Sequence, residues 1–240
     1  MTPLAAMDVF RAQNEVYKGV SMTYAGRLDP MAEGVLLVLA GDSVHQKDEL
    51  LRLDKEYEAE ILLGVKTDTF DVLGVVDPFL LNYKIPIFYN LRAELKGLQG
   101  DFTFSLPPYS SYKIQSKPFF QWAREGRLDE IKIPIRTTKI YEIELLGERK
   151  IDANGLSKEI TEKINLVKGD FRQEEIKTRW NEILKSCSPS DDEQFKIVKI
   201  RVNCSSGTYI RAIADKLGGC LLGLKRTRVG DFRIKDAIFI

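Results

Sequence analysis

Asp29 stands in "TYAGRLDPMAEGVLLVLAG", residues 23 to 41, between Leu28 and Pro30, with an apolar run beginning at Val35. A residue before proline is pushed out of the α region toward extended geometry. Gly26 and Gly34, on either side, allow close backbone approach or unusual dihedrals. A carboxylate held rigidly at the mouth of a buried strand can attack carbon and later leave, dividing one difficult step into easier ones. By itself an Asp-Pro pair is turn chemistry. By itself Tyr57, in "KEYEAE", is a strand aromatic, and Arg211, in "GTYIRAIAD", a helix-surface partner for Asp215 four residues on. The remaining chemistry is narrow. His45 is the only histidine, so histidine triads and histidine-rich metal sites are nearly excluded, and acid–base or nucleophilic work falls to Asp, Glu, Tyr, Lys or Cys.

These residues need elements to hold them. "YEAEILLG" (57 to 64), "IYEIELLG" (140 to 147) and "VKIRVNC" (198 to 204) read as strands. In the last, Val198, Ile200, Val202 and Cys204 share one face, and Lys199, Arg201 and Asn203 the other. "TYIRAIADKLGG" reads as a helix, with Ile210, Ile213, Ala214 and Leu217 at helical spacing and Gly218 as its stop. A second helix over about Gln173 to Leu184 carries many charges and is expected on the surface. "TDTFD", 67 to 71, reads as a turn stabilised by side-chain-to-backbone bonds from Asp68 and Asp71. The pattern predicts an α+β fold: a central, largely antiparallel sheet with flanking helices and loops. No strong linker appears, so one domain over 1–240 is expected, with a peripheral excursion in the charge-mixed stretch from Arg149 to Ser190.

Composition agrees with a globular chain: 240 residues, 44% hydrophobic and 30% charged. The longest apolar run, Val35 to Ala40, is far too short to span a bilayer. No basic segment followed by an apolar core opens the chain, so no signal peptide is expected. Cys187, Cys204 and Cys220 show no paired spacing and no CxxC, which suits a reducing, cytoplasmic setting and argues against zinc. Net charge is only +1, yet "LKRTRVGDFRIK", 224 to 235, gathers Lys225, Arg226, Arg228, Arg233 and Lys235. Such a stripe is either a solvated edge or a row of phosphate contacts.

Taken in order, "GRLDPMAEGVLLVLAG", "KEYEAEILLGVKTDTFDVLG", "PPYSSYK" and "CSSGTYIRAIADKLG" resemble the motifs of the TruB-type tRNA pseudouridine synthases, over nearly the whole chain from about Thr2 to about Phe232. The resemblance implies the pseudouridine synthase catalytic fold and an isomerase. It would break the N1–C1′ bond of the T-loop uridine in tRNA, turn the base and rejoin it through C5. No cofactor is implied, and no metal, membrane or obligatory protein partner; the partner is the T arm of tRNA. The catalytic set implied is Asp29 as nucleophile, Tyr57 as the ring that stacks on the flipped base and a candidate for proton transfer at C5, and Arg211 as the cation paired with Asp29. Flipped bases are read by such ring faces, and an arginine favours the ionised carboxylate. Leu224 corresponds to an apolar residue lining the uridine pocket. Lys55 is left between phosphate contact and strand surface. "SLPPYSSYKIQSKPFFQWAREG" resembles an RNA-gripping loop, with Tyr109, Tyr112, Lys113 and Lys117 as stacking faces and phosphate partners. Lys225 and Arg226 would add phosphate grip.

Some residues depart from the pattern. The "DKPxGxTS" opening common in the family is represented at most by its end, at "MTPLAA". Tyr24 stands where many members have histidine, and is expected to stack on RNA. With the chain ending soon after the basic stripe, the small C-terminal RNA-binding domain of many members is not expected. The other readings are the same isomerisation on another RNA, or an RNA-binding or RNA-folding protein of this fold with little activity. A retaining glycoside hydrolase needs a second carboxylate across the bond, and none is evident near the motif.

Overall fold

Alternation at period two builds the centre of the molecule. In the computed structural model, which describes residues 2–77, 90–186 and 194–240, the chain forms these elements in order. Helix α1 (Pro3–Gln13) is capped by Thr2, whose hydroxyl accepts from Ala5 N. Strands β1 (Met22–Ala25), β2 (Glu33–Gly34) and β3 (Leu37–Ala40) follow, then α2 (Lys47–Leu51) and β4 (Lys55–Leu63). Next come α3 (Leu91–Gly97), β5 (Gly100–Ser105), β6 (Lys113–Ile114), β7 (Lys117–Pro118) and α4 (Phe119–Arg124). The remainder is β8 (Ile135–Ile151), α5 (Ala153–Leu166), α6 (Gln173–Ser186), β9 (Phe195–Cys204), α7 (Ile210–Lys216), β10 (Gly219–Val229) and β11 (Phe232–Arg233).

The main sheet has seven strands in the order β11-β10-β4-β9-β8-β5, with β2 added on β10. Every pairing in it is antiparallel except β2 with β10, so the predicted α+β class and largely antiparallel sheet are found. Strand β9 divides as read: Val198, Ile200, Val202 and Cys204 are buried in one core with Tyr57, Ala59, Ile61 and Leu63 of β4. Lys199 and Arg201 turn outward into ion pairs with Glu58, and Arg201 also with Glu144. The apolar run after Asp29 is less enclosed than its composition suggests. It forms β3, a two-stranded sheet with β1, in which Leu37 and Leu39 are buried and Val38 is exposed. Helix α7 sits on the first core, and Gly218 ends it with a left-handed φ of 71°.

The stretch from Arg149 onward corrects the expected peripheral excursion. Its helices α5 and α6 form a hairpin over the sheet's other face and close a second core with Leu62, Ile197 and Leu222. In α6, Ile176, Trp180, Ile183 and Leu184 are all buried. The i, i+4, i+7, i+8 spacing of an amphipathic face was present, but charges on the opposite face dominated the composition. Cys187 lies outside the described residues; Cys204 and Cys220 are buried and free. Among the described residues no helix is long and apolar enough to cross a membrane.

Trp180 is 2% exposed and its indole N–H donates to Val72 O at 3.2 Å. Trp180→Ala should therefore lower the unfolding free energy in urea by about 3–5 kcal/mol, the scale for a buried aromatic. A loss under about 0.5 kcal/mol would show that the helical hairpin lies outside the cooperative core.

Candidate active site

Arg211 opens the first turn of α7, a helix buried from Ile210 through Ala214. Its side chain is 4% exposed, so its donors must be met inside the protein. Nε and Nη2 each donate to one oxygen of Asp29, both at 3.0 Å, a planar two-bond fork. Nη1 donates to Thr69 O at 2.9 Å, and Nη2 also to Tyr109 O at 3.2 Å. Asp215, the alternative partner on the helix surface, is taken by Lys66 at 2.7 Å. Asp29 itself remains 26% exposed at the side chain, so its oxygens are oriented from within and still reach solvent.

A second carboxylate stands behind the first. Asp71 Oδ2 is 3.7 Å from Arg211 Nε, and its other oxygen accepts from Leu73 N and Thr69 Oγ1. Burial pushes the Asp71 carboxyl up to about 6, against the pull of Arg211, with Asp29 adding repulsion. The turn holding it is strained: Phe70 sits at φ 65°, left-handed for a non-glycine residue. Main-chain bonds with Leu221 on either side of Asp71, from Leu221 N to Phe70 O and from Val72 N to Leu221 O, keep it there. "TDTFD" is thus the predicted turn, with Asp68 and Asp71 bonding backbone N–H groups. It is also part of the site, which its sequence distance from Arg211 concealed.

Tyr57 on β4 is buried in the first core, where Leu224 also lies. Burial pushes the Tyr57 hydroxyl up to about 12, while the Arg226 guanidinium beside it favours the ionised form. Tyr109 contributes its carbonyl to Arg211, and its ring is stacked by Arg172 at 4.6 Å. Lys113 is exposed on the β6–β7 hairpin that follows, and Tyr112 there faces Arg136 at 4.7 Å. Lys117 instead pairs with Glu125 and lies over the Trp122 ring. Tyr24, half-buried on β1, accepts from Arg27 at 3.3 Å and has Lys47 Nζ 5.8 Å from its ring centroid.

Two basic residues are corrected. Arg226, expected as a phosphate contact, is 1% exposed and bonds Val35 O and Gly26 O. It lies on the inward face of β10, whereas its neighbour Lys225 turns toward Glu33 at 3.5 Å. Lys55 is neither phosphate contact nor strand surface. It is buried beside the end of α2, donating to Leu51 O, Leu53 O and Ser206 Oγ. Desolvation, then Arg226, lowers its ammonium to about 8. Alternation along β4 and β10 carried that signal: Lys55 shares the inward face of Tyr57, and Arg226 that of Leu224.

Residues 14–170 match the family model described as TruB family pseudouridylate synthase (N terminal domain). The chain belongs to this family. Curated relatives named tRNA pseudouridine synthase B include one from Francisella tularensis subsp. tularensis strain WY96-3418, 31% identical over 240 residues, and one from Francisella philomiragia, 32% identical over 244. Each match covers 98% of this chain and 64% of the relative, so the chain spans about two-thirds of their length at most. Among solved structures, the fold is similar to a chain of a Cbf5-Nop10-Gar1 complex, with TM-score 0.54, 19% identity, and 97% of this chain against 46% of that one covered. A chain of an H/ACA RNP bound to a substrate RNA containing 2′-deoxyuridine matches with TM-score 0.50 and 18% identity, over 97% of this chain and 45% of that one. In this family member the GRLDP, KEY, TDTFD and GTYIR motifs, far apart in sequence, meet around Arg211 or on the strands that flank it.

The raised Asp71 carboxyl has a consequence for stability. A carboxyl raised on folding stabilises the native state below its unfolded value near 3.8, and that stability is lost as pH rises through about 6. The stability of wild type relative to Asp71→Asn should therefore fall by about 1–3 kcal/mol between pH 4 and pH 7. Parallel urea titrations across that range check it; a pH-independent difference would mean that Asp71 is not raised.

Proposed function

We propose that this chain carries out the isomerisation of uridine to pseudouridine in tRNA, at the T-loop uridine, with Asp29 as the attacking carboxylate. The observation that supports it most is the Arg211 fork on Asp29. It orients one carboxylate from behind while leaving its side chain partly exposed.

In this reading the N1–C1′ bond breaks, a C5–C1′ bond forms, C5 loses a proton and N1 gains one, so the reaction balances without an oxidant or cofactor. Asp29 attacks carbon and is displaced when C5 rejoins the sugar. Arg211 fixes both oxygens of the carboxylate. Tyr57 offers a ring face to the extruded base, and Leu224 an apolar wall. The Tyr57 hydroxyl can take the C5 proton only as phenolate, which burial opposes and Arg226 favours. The loop with Tyr109, Tyr112 and Lys113, together with Tyr24 and Lys225, supplies stacking faces and cations for the T arm. A tRNA substrate accords with a cytoplasmic setting.

Asp29→Asn keeps the shape of the side chain and removes its charge. This variant should fold, bind T-arm RNA within about threefold of wild type, and form no pseudouridine in chemical derivatisation followed by primer-stop mapping. Appreciable turnover by it would remove the covalent role of Asp29. Wild-type turnover on a different RNA but none on the T arm would move the reading to another substrate.

A further inference from the structure

Arg226 is among the largest fully buried side chains of the protein. Taking a guanidinium out of water is costly unless its donors are satisfied. Among the described residues no carboxylate lies within 4.0 Å of it. Its bonds go to main-chain carbonyls instead: Nε to Val35 O at 2.7 Å and Nη2 to Gly26 O at 3.0 Å. Those carbonyls mark the two ends of the segment that carries Asp29.

The main chain of the same residue holds one of those ends as well. Arg226 O accepts from Val35 N at 2.8 Å, and Gly34 is aligned with Arg226 in the parallel pairing of β2 with β10. A Cβ added at Gly34 would stand 2.2 Å from Arg226 O, and its φ of 104° is itself a glycine conformation. On the other edge of β10, Arg226 is in register with Tyr57. One residue therefore touches both ends of the Asp29 loop and the strand that carries the ring. Inside the loop, one main-chain bond, Ala32 N to Asp29 O at 2.9 Å, provides further support.

We propose that Arg226 is a positioning residue: by clamping both ends of the Gly26–Val35 loop, it sets where the Asp29 carboxylate stands relative to Tyr57 and Arg211. The inference rests on reading Asp29 as the reacting group. The two arginines divide the task. Arg211 orients the carboxylate oxygens, and Arg226 locates the backbone from which they hang. Lysine cannot replace it, because a single ammonium on a flexible stem lacks the planar fork that spans two carbonyls. Misplacing a reacting group by about 1 Å can cost about a hundredfold in rate.

The test compares wild type, Asp29→Asn, Arg226→Lys and Gly34→Ala. Three quantities are read: single-turnover pseudouridine formation on T-arm RNA, affinity for that RNA as a function of salt, and amide hydrogen exchange. Arg226→Lys should slow the single turnover by about a hundredfold, leave affinity within about threefold and its salt slope unchanged, and speed exchange in residues 26–35 but not in α7. Gly34→Ala opens the same clamp from the loop side and should reproduce the loss of rate and of protection if Arg226→Lys does not fold. Wild-type turnover in either folded variant would overturn the clamp. So would unchanged exchange over 26–35. A weaker affinity with a shallower salt slope would return Arg226 to the role of a phosphate contact. A wild-type protein silent on T-arm RNA would count against the functional reading instead, and the exchange comparison would still decide the clamp.

Discussion

A buried guanidinium is tolerable only where its surroundings answer it, and Arg211 imposes that requirement on three separate stretches of chain. It needs the Asp29 carboxylate, the Thr69 carbonyl and the Tyr109 carbonyl in place together, with Asp71 close behind. Removing one partner of such a buried pair costs far more than the pair contributes over an apolar substitute. Its value therefore lies in specificity. The geometry fixes the Asp29 loop, the "TDTFD" turn and the loop after β5 against one end of α7.

Each of those partners is held from a second side. The turn is docked on the second core, since Trp180 of α6 donates to Val72 O and Val72 N bonds Leu221 O of β10. Arg172, just before α6, stacks on Tyr109 and pairs with Asp68 at 2.9 Å, tying the loop to the turn. The Asp29 loop is tied to β10 through Arg226. The helical hairpin on the far face of the sheet thereby supports the site without touching Asp29: its packing reaches Arg211 through backbone carbonyls. Rigid support of this kind is what the role proposed for Asp29 requires, because small displacements are expensive in rate.

Much of this was legible in the sequence, and the remainder was hidden for identifiable reasons. Period-two alternation in 198–204 and helical spacing in 210–217 are local signals, and both elements formed as read. The pre-proline constraint singled out Asp29 before any partner was known. Local sequence gives Asp71 turn chemistry alone, because its proximity to Arg211 spans 140 positions of sequence and leaves no local mark. Arg226 and Lys55 misled for another reason. Basic residues are seldom fully buried, so a basic run suggests solvent, although alternation already placed both on the inward faces of β10 and β4. In α6 the apolar face was outweighed by surrounding charge, and only its spacing carried the signal.

The central claim is that the two-bond fork from Arg211 makes Asp29 a competent nucleophile. Arg211→Lys keeps the positive charge and removes the fork. The decisive measurement is its single-turnover rate of pseudouridine formation on saturating T-arm RNA, with RNA affinity read on the same preparation. The account predicts a rate at least about a hundredfold below wild type with affinity within about threefold. A folded Arg211→Lys protein that turns over at the wild-type rate would contradict it.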